Sequence, residues 1–161
     1  MFRLILLWAI LASPVSAQLI PDEIAEQVNE RATLLASATL AEDYDQVIAL
    51  SYPPLVNKIG GPSMAAKIAY EAVRLLNEEG VIISDLTIGD PLAYYATDQQ
   101  QLVVLATQLE LKSEQGRVNT QSYLLAIREP NTPWLFIDSN ALKDLAELKG
   151  YFPGLPNDFS L

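Results

Sequence analysis

The chain has 161 residues, with 20 acidic and 10 basic side chains and a formal net charge of −10. Such an acidic chain repels phosphate backbones, which excludes nucleic acid from the expected partners. It contains neither Cys nor His, which removes disulfides, Cys–His and Ser–His–Asp nucleophilic catalysis and the usual zinc ligands. We therefore expect no metal and no cofactor, and a stability that comes from an apolar core.

The N-terminus predicts a secretory signal peptide. Arg3 precedes an apolar run from Leu4 to Ala12, which is too short to span a bilayer because a transmembrane helix needs about 20 residues. A proline interrupts the run, and Val15-Ser16-Ala17 supplies the small residues that signal peptidase reads. The sequence thus predicts a signal peptide at 1–17, a single domain at 18–161, a secreted or periplasmic protein, and no membrane span after cleavage.

The first half of the domain predicts three helices. Pro21 and the acids after it are typical of a helix start. Asp43 can cap a second helix, which Pro53 and the next proline end. The third helix is predicted from Pro62 to a C-terminal stop at Gly80. Its apolar face consists of Ile68, Ala69, Ala72, Leu75 and Leu76.

After Gly80 the apolar period changes from helical to alternating, which predicts an antiparallel meander. The predicted strands are 81–89, 92–98, 101–113, 117–129 and 134–138. In the third of these, alternation places Val103, Leu105, Thr107, Leu109 and Leu111 on one buried face and mostly polar residues on a wet one.

A short helix at 139–150 and a Pro-rich tail packed across the body follow. The fold class is α+β, with N-terminal helices packed on a curved, cone-like antiparallel sheet and a short C-terminal helix.

The helix with LAEDYDQVIAL, the strands after it and the late WLFID strand resemble the nuclear transport factor 2-like superfamily. That group includes ketosteroid isomerase, scytalone dehydratase and secreted bacterial members. The resemblance covers most of 18–161 in element order, and it implies a cone whose helices and sheet enclose a pocket. Enzymes of the family use an Asp base, His–Asp pairs or tyrosine donors. This chain has no His, and no catalytic residue is carried over.

Asp85 is the candidate catalytic residue. It interrupts an apolar strand and shares a predicted face with Val81 and Ile83. An inward Asp85 near Tyr94 or Tyr123 would act as a general base, as the resemblance implies for isomerases. In the alternative interpretation, Asp85 faces water or begins a β-bulge.

Tyr94, Tyr123 and Trp134 are the candidate ligand-binding residues, because aromatic rings with polar tips can line a cavity. Alternatively, they fill the core and rim of the cone. For the last strand we favour a closing strand with Trp134 and Phe136 inward and Asp138 capping the following helix; a pocket wall is the second interpretation.

The leading functional hypothesis is an exported, non-enzymatic domain that binds a small apolar ligand or an envelope protein. The alternative is a small-molecule enzyme of the isomerase, dehydratase or cyclase type, with Asp85 as base and tyrosines as donors. A homodimer through the outer face of the sheet is a further expectation.

Overall fold

The computed structural model of the protein describes residues 19–161, so the predicted signal peptide at 1–17 lies outside the described residues. Helices lead the chain, an antiparallel sheet follows, and a short helix comes near the end. This is the α+β class that the sequence predicts. The elements are α1 Asp22–Leu40, α2 Tyr44–Leu50, α3 Pro53–Lys58, α4 Pro62–Glu78, β1 Ile82–Ala96, β2 Gln101–Ser113, β3 Gly116–Arg128, β4 Leu135–Asp138, the 3-10 turn Ser139–Ala141 and α5 Leu145–Tyr151.

The boundaries of α2 and α4 follow the predicted caps, whereas α3 lies where the sequence predicts no helix and begins at Pro53. The Asp43 side chain accepts a hydrogen bond from the Gln46 amide at 3.1 Å and begins α2. After α4, Gly80 has a φ of +72°, and the Val81 amide donates to the Leu76 carbonyl at 2.9 Å. This is the glycine-dependent end that the sequence predicts. None of the helices in residues 19–161 is both long and apolar enough to cross a lipid bilayer.

The sheet is a four-stranded antiparallel meander in the order β1-β2-β3-β4. The prediction of two separate strands at 81–89 and 92–98 is wrong, because this segment forms one 15-residue strand, β1. Its register shifts between Ile88 and Pro91 and again between Pro91 and Ala93, so the glycine-proline segment forms bulges instead of a turn. The bulges bend the strand without ending its pairing with β2.

Both faces of the sheet are covered along one half of the β2–β3 hairpin. We call residues 101–106 and 123–128 the proximal half and residues 107–122 the distal half. One face of the proximal half packs on α1 in a core around Val28, Val103, Leu105, Leu124 and Phe136. The other face packs on α5 and the C-terminal tail (residues 152–161).

The prediction of one wet face on β2 is therefore wrong for the proximal half. Leu102 and Val104, on the opposite face from Val103, are buried at 0% and 4% exposure. Phe152 and Phe159 of the tail are buried against that face, and Phe159 meets Tyr95 edge to face at 5.4 Å. The prediction that the tail packs across the body is confirmed.

The predicted helix at 139–150 is divided in two. Asp138 ends β4 and caps the 3-10 turn, accepting from the Asn140 amide at 2.8 Å. Asp144 caps α5 separately, accepting from the Glu147 amide at 2.9 Å. The two Asp caps explain the break, since each begins its own turn. Trp134 and Phe136 are both buried on the α1 side, which confirms the closing-strand interpretation.

The apolar face of α4 is only partly covered. Ala65 is buried, whereas Ile68 and Leu75 are 50% and 55% exposed. Helix α4 packs mainly on α2 instead of on the sheet. Only one edge of its apolar face is therefore buried, and the rest remains in contact with solvent.

Candidate functional site

A cavity of about 300 Å³ lies between the concave face of the sheet and helices α1 and α2. It begins where the α1-side core ends, at the distal half of the hairpin. Its apolar walls are Leu35, Val47, Ile83, Leu86, Ile88, Leu109, Leu124 and Phe136, and its polar positions are Thr39, Ser51, Thr107, Thr120, Ser122, Asp138 and Asn140.

The floor of the cavity is built from cross-strand rows of the sheet. In one row, Thr107 of β2 pairs with Ile88 of β1 and with Ser122 of β3. In the next row, Leu109 pairs in the same way with Leu86 and Thr120. Alternation along β2 places Thr107 and Leu109 on the same face as buried Val103 and Leu105, so the predicted inward face of β2 carries the floor.

A hydrogen-bonded polar group lies along one side of the cavity. Ser122 Oγ accepts from the Asn140 side-chain amide at 2.8 Å and lies 3.3 Å from Asp138 Oδ1. Ser139 Oγ lies 3.0 Å from Ser122 Oγ and accepts from the Tyr123 amide at 3.2 Å. Asp138 is thus held in place by its cap role and by Ser122. The otherwise apolar cavity therefore has one polar side, which can hydrogen-bond a polar group of a ligand.

Two hydroxyls at the C-terminal ends of α1 and α2 also line the cavity. Thr39 Oγ1 donates to the Leu35 carbonyl at 2.9 Å, and Ser51 Oγ donates to the Val47 carbonyl at 2.8 Å. Because each hydroxyl has used its hydrogen, it retains lone pairs for a donor on a ligand.

Asp85 lies outside this cavity. The register of β1 shifts between Ile83 and Asp85, and the shift changes the alternation so that Ile83 and Leu86 line the cavity while Asp85 is exposed. Its carboxylate accepts from Thr87 Oγ1 at 3.0 Å. The carboxylate at the cavity is that of Asp138.

The three aromatic candidates do not share one site. Tyr94 and Trp134 are buried in the α1-side core at 5% and 2% exposure. Burial raises the pKa of the Tyr94 hydroxyl, which accepts from Gln101 Nε2 at 2.9 Å. Tyr123 packs on the opposite face of the sheet, against the α5 and tail core. None of the three lines the 300 Å³ cavity.

Several cavity residues were not singled out from the sequence. Leu86 and Ile88 follow the bulge that the alternative interpretation of Asp85 allowed, and simple alternation misplaces that part of β1. Ser122 and Asn140 meet through the turn after β4, and neither belongs to a recognisable motif. Within residues 19–161, no group of three or more acidic side chains comes together that could hold a metal ion.

No protein-family model matches this chain. No curated protein matches it either. Its fold is similar to that of a protein from Catenulispora acidiphila solved at 2.5 Å, with a TM-score of 0.52 and 9% sequence identity. The similarity covers 73% of this chain and 93% of the other. At that identity it extends to the fold alone.

Proposed function

We propose that this chain is an exported protein of the nuclear transport factor 2-like superfamily that binds a small apolar molecule with one polar end and catalyses no reaction on it. The observation that carries the proposal is the 300 Å³ cavity with aliphatic walls and a polar side at Ser122, Asp138 and Asn140. Ligand pockets typically begin at about this volume and combine apolar walls with a few placed polar groups.

The cavity chemistry defines the ligand class. The aliphatic walls favour a hydrocarbon body, because removing it from water is the main source of affinity. Asp138 and the hydroxyls of Thr39 and Ser51 supply acceptors, so the polar end is a donor such as a hydroxyl group. A carboxylate at that end would meet the Asp138 carboxylate and be repelled.

Binding without catalysis is supported by the acid–base groups. The chain lacks His and Cys, and Asp85 is exposed outside the cavity. Asp138 Oδ1 already accepts from the Asn140 amide and lies next to Ser122. This arrangement favours a fixed hydrogen-bond acceptor over the isomerase-type alternative, in which Asp85 would be the base.

Family membership and export rest on two further lines of support. Family membership is supported by a helical layer on a curved meander around an apolar cavity, the arrangement that the resemblance implies. Export rests on the signal-peptide pattern in residues 1–17.

The test is a methyl NMR titration with 4-tert-butylcyclohexanol, which has an apolar body and one hydroxyl. We expect saturable shifts of the Ile83 and Ile88 methyl groups. Leu109→Trp should fill the cavity and weaken binding at least about tenfold, since the ligand loses most of its buried contact area.

The matched control is Gln108→Trp, which places the same ring on the exposed, opposite face of β2. It should leave the affinity unchanged. Methyl shifts that never saturate, or equal affinity in Leu109→Trp and the native chain, would contradict binding in this cavity.

A further inference from the structure

A second, polar cleft of about 420 Å³ lies at the other end of the same strands. Its walls are the β1–β2 loop (residues 97–100) and the β3–β4 loop (residues 129–133), and its base carries Gln101 and Arg128. It shares no lining residue with the apolar cavity, and its lining contains amides, hydroxyls, one guanidinium group and the carboxylates of Asp98 and Glu129.

Arg128 is held in one orientation. Its Nε and Nη2 atoms donate to Gln101 Oε1 at 2.9 and 2.5 Å, and Nη1 donates to Gln27 Oε1 at 2.8 Å. Its guanidinium carbon lies 4.5 Å from the centroid of the buried Trp134 ring. Stacking on an aromatic face and hydrogen bonds at both sides fix the guanidinium plane.

The charge of Arg128 is left without a carboxylate partner in the described part of the chain. Arg74 and Arg117 each form ion pairs, but no carboxylate oxygen of residues 19–161 lies within 4.0 Å of Arg128. The two glutamine oxygens that it contacts carry no formal charge. In a chain with twice as many acids as bases, this cation is paired with neutral groups only.

Two donors of Arg128 remain for a ligand. A guanidinium has five N–H groups, and the three hydrogen bonds to Gln101 and Gln27 leave one N–H on Nη1 and one on Nη2. If Gln27 takes the Nη1 hydrogen on the Cδ side, the two remaining N–H groups point in parallel and can bind a carboxylate through both oxygens.

The walls of the cleft are ordered by the chain itself. Thr97 Oγ1 accepts from the Gln99 and Gln100 amides at 3.3 and 3.0 Å. On the other wall, Thr132 Oγ1 accepts from the Glu129 amide at 3.1 Å. A ligand therefore enters a site whose loops are already closed by hydrogen bonds, which lowers the entropy lost on binding.

We propose that the polar cleft binds the carboxylate group of a small polar molecule, with Arg128 as the anion-binding residue. Arg128 attracts an anion at the base of the cleft, while Asp98 and Glu129 in the walls repel it, twice as strongly for an anion with two charges as for one with a single charge. The neighbouring Gln99 and Asn131 side chains can hydrogen-bond amide or hydroxyl groups on the rest of the molecule. The same chemistry is offered by a free small acid and by a peptide C-terminus.

The test is an ¹H–¹⁵N NMR titration of the full chain at constant ionic strength, following the Arg128 Nε–Hε signal and the amides of both loops. The probes are sodium acetate, N-acetylalanine, N-acetylalanine amide and sodium sulfate. We expect saturable shifts with a carboxylate probe and none with the amide. Saturation by acetate indicates a free acid as ligand, and saturation by N-acetylalanine alone indicates a peptide C-terminus.

Arg128→Gln should weaken carboxylate binding at least about tenfold, since it removes a charge-assisted hydrogen-bond pair. Arg117→Gln is the control, because it removes one positive charge from the opposite end of the same strand. Arg128→Lys keeps the positive charge but cannot bind both carboxylate oxygens at once, so it should also weaken binding. This variant tests the site even if Arg128→Gln does not fold. The proposal is overturned by shifts that do not saturate, by unchanged affinity in both Arg128 variants, or by tighter binding of sulfate than of carboxylate.

Discussion

The proximal and distal halves of the β2–β3 hairpin belong to the same two strands but have opposite environments. Residues 102–105 and 124–127 in the proximal half are all buried. In the distal half no residue is buried to that extent, and residues 114–121 are all exposed. Pairing between β2 and β3 is nevertheless unbroken from Gln101–Arg128 to Ser113–Gly116.

The difference lies in what covers the strands. Helix α1 covers one face of the proximal half, and α5 with the C-terminal tail covers the other. No residue of the distal half belongs to the α5 and tail core, and α1 and α2 meet its inner side only across the apolar cavity. The sheet is therefore packed at its proximal end and open at its distal end. The apolar cavity occupies the boundary between them, where the strands still face α1 and α2 but packing has ended.

The largest expected effect comes from weakening the packing of the C-terminal tail on the sheet. Phe152 is fully buried between the tail and the proximal half. We expect Phe152→Ala to lower the free energy of unfolding by about 3–5 kcal/mol through lost burial and a cavity. Urea denaturation measures it. Leu161→Ala, at the 44% exposed end of the same tail, should change it by less than about 0.5 kcal/mol. Equal effects would refute a tail that covers the sheet.

A matched pair of valines compares the two halves directly. Val103 of the proximal half is 0% exposed, and Val118 of the distal half is 62% exposed. We expect Val103→Ala to cost about 2–3 kcal/mol, because two methyl groups leave a packed core. Val118→Ala should stay within about 0.5 kcal/mol. Similar costs in thermal or urea unfolding would mean that the distal half is covered by something else in solution.

The smallest effect concerns the charge contact that ties α5 to the helical layer. The Lys58 ammonium and the Lys143 amide lower the pKa of Glu147 from 4.5 to about 2. A lowered carboxylate pKa contributes stability that is complete above the unfolded value and is lost as the pH falls from about 4.5 towards 2. Glu147→Gln should therefore show a smaller loss of melting temperature than the native chain between about pH 6.5 and about pH 3.

Lys58→Met serves as the partner control for this contact. It should reduce the acid dependence in the same direction, since the cation at the contact is gone. If both variants lose as much melting temperature between about pH 6.5 and about pH 3 as the native chain does, the contact between Lys58 and Glu147 is not formed in solution.

Local patterns predicted much of the framework. Asp43 and Gly80 marked helix ends correctly, and the alternation of Val103, Leu105, Thr107 and Leu109 identified the face that meets the helices. These signals are readable because each depends on backbone geometry within a few residues.

The positions of the candidate site residues depend on how separate strands and loops fit together, which the local sequence does not specify. The bulge after Ile83 turns Asp85 away from the cavity, and a bulge depends on how two strands fit together, not on one residue. The pairing of Ala126 with Phe136 sets which residues of β3 and β4 share a face. It leaves Tyr123 on the face opposite to Phe136 and to Trp134, which precedes β4. The polar cleft at Arg128 likewise requires two loops that are distant in sequence.

Periodicity and caps act over one or two turns, and from them alone the α+β class, the placement of helices before strands and the inward face of β2 could be predicted. Three features emerge only from the folded chain: the tail covers the second face of the sheet, the cavity lies at the end of that cover, and Arg128 has only neutral hydrogen-bond partners within residues 19–161. Those features depend on long-range packing, in which the energy of a residue is set by neighbours that its local sequence does not specify.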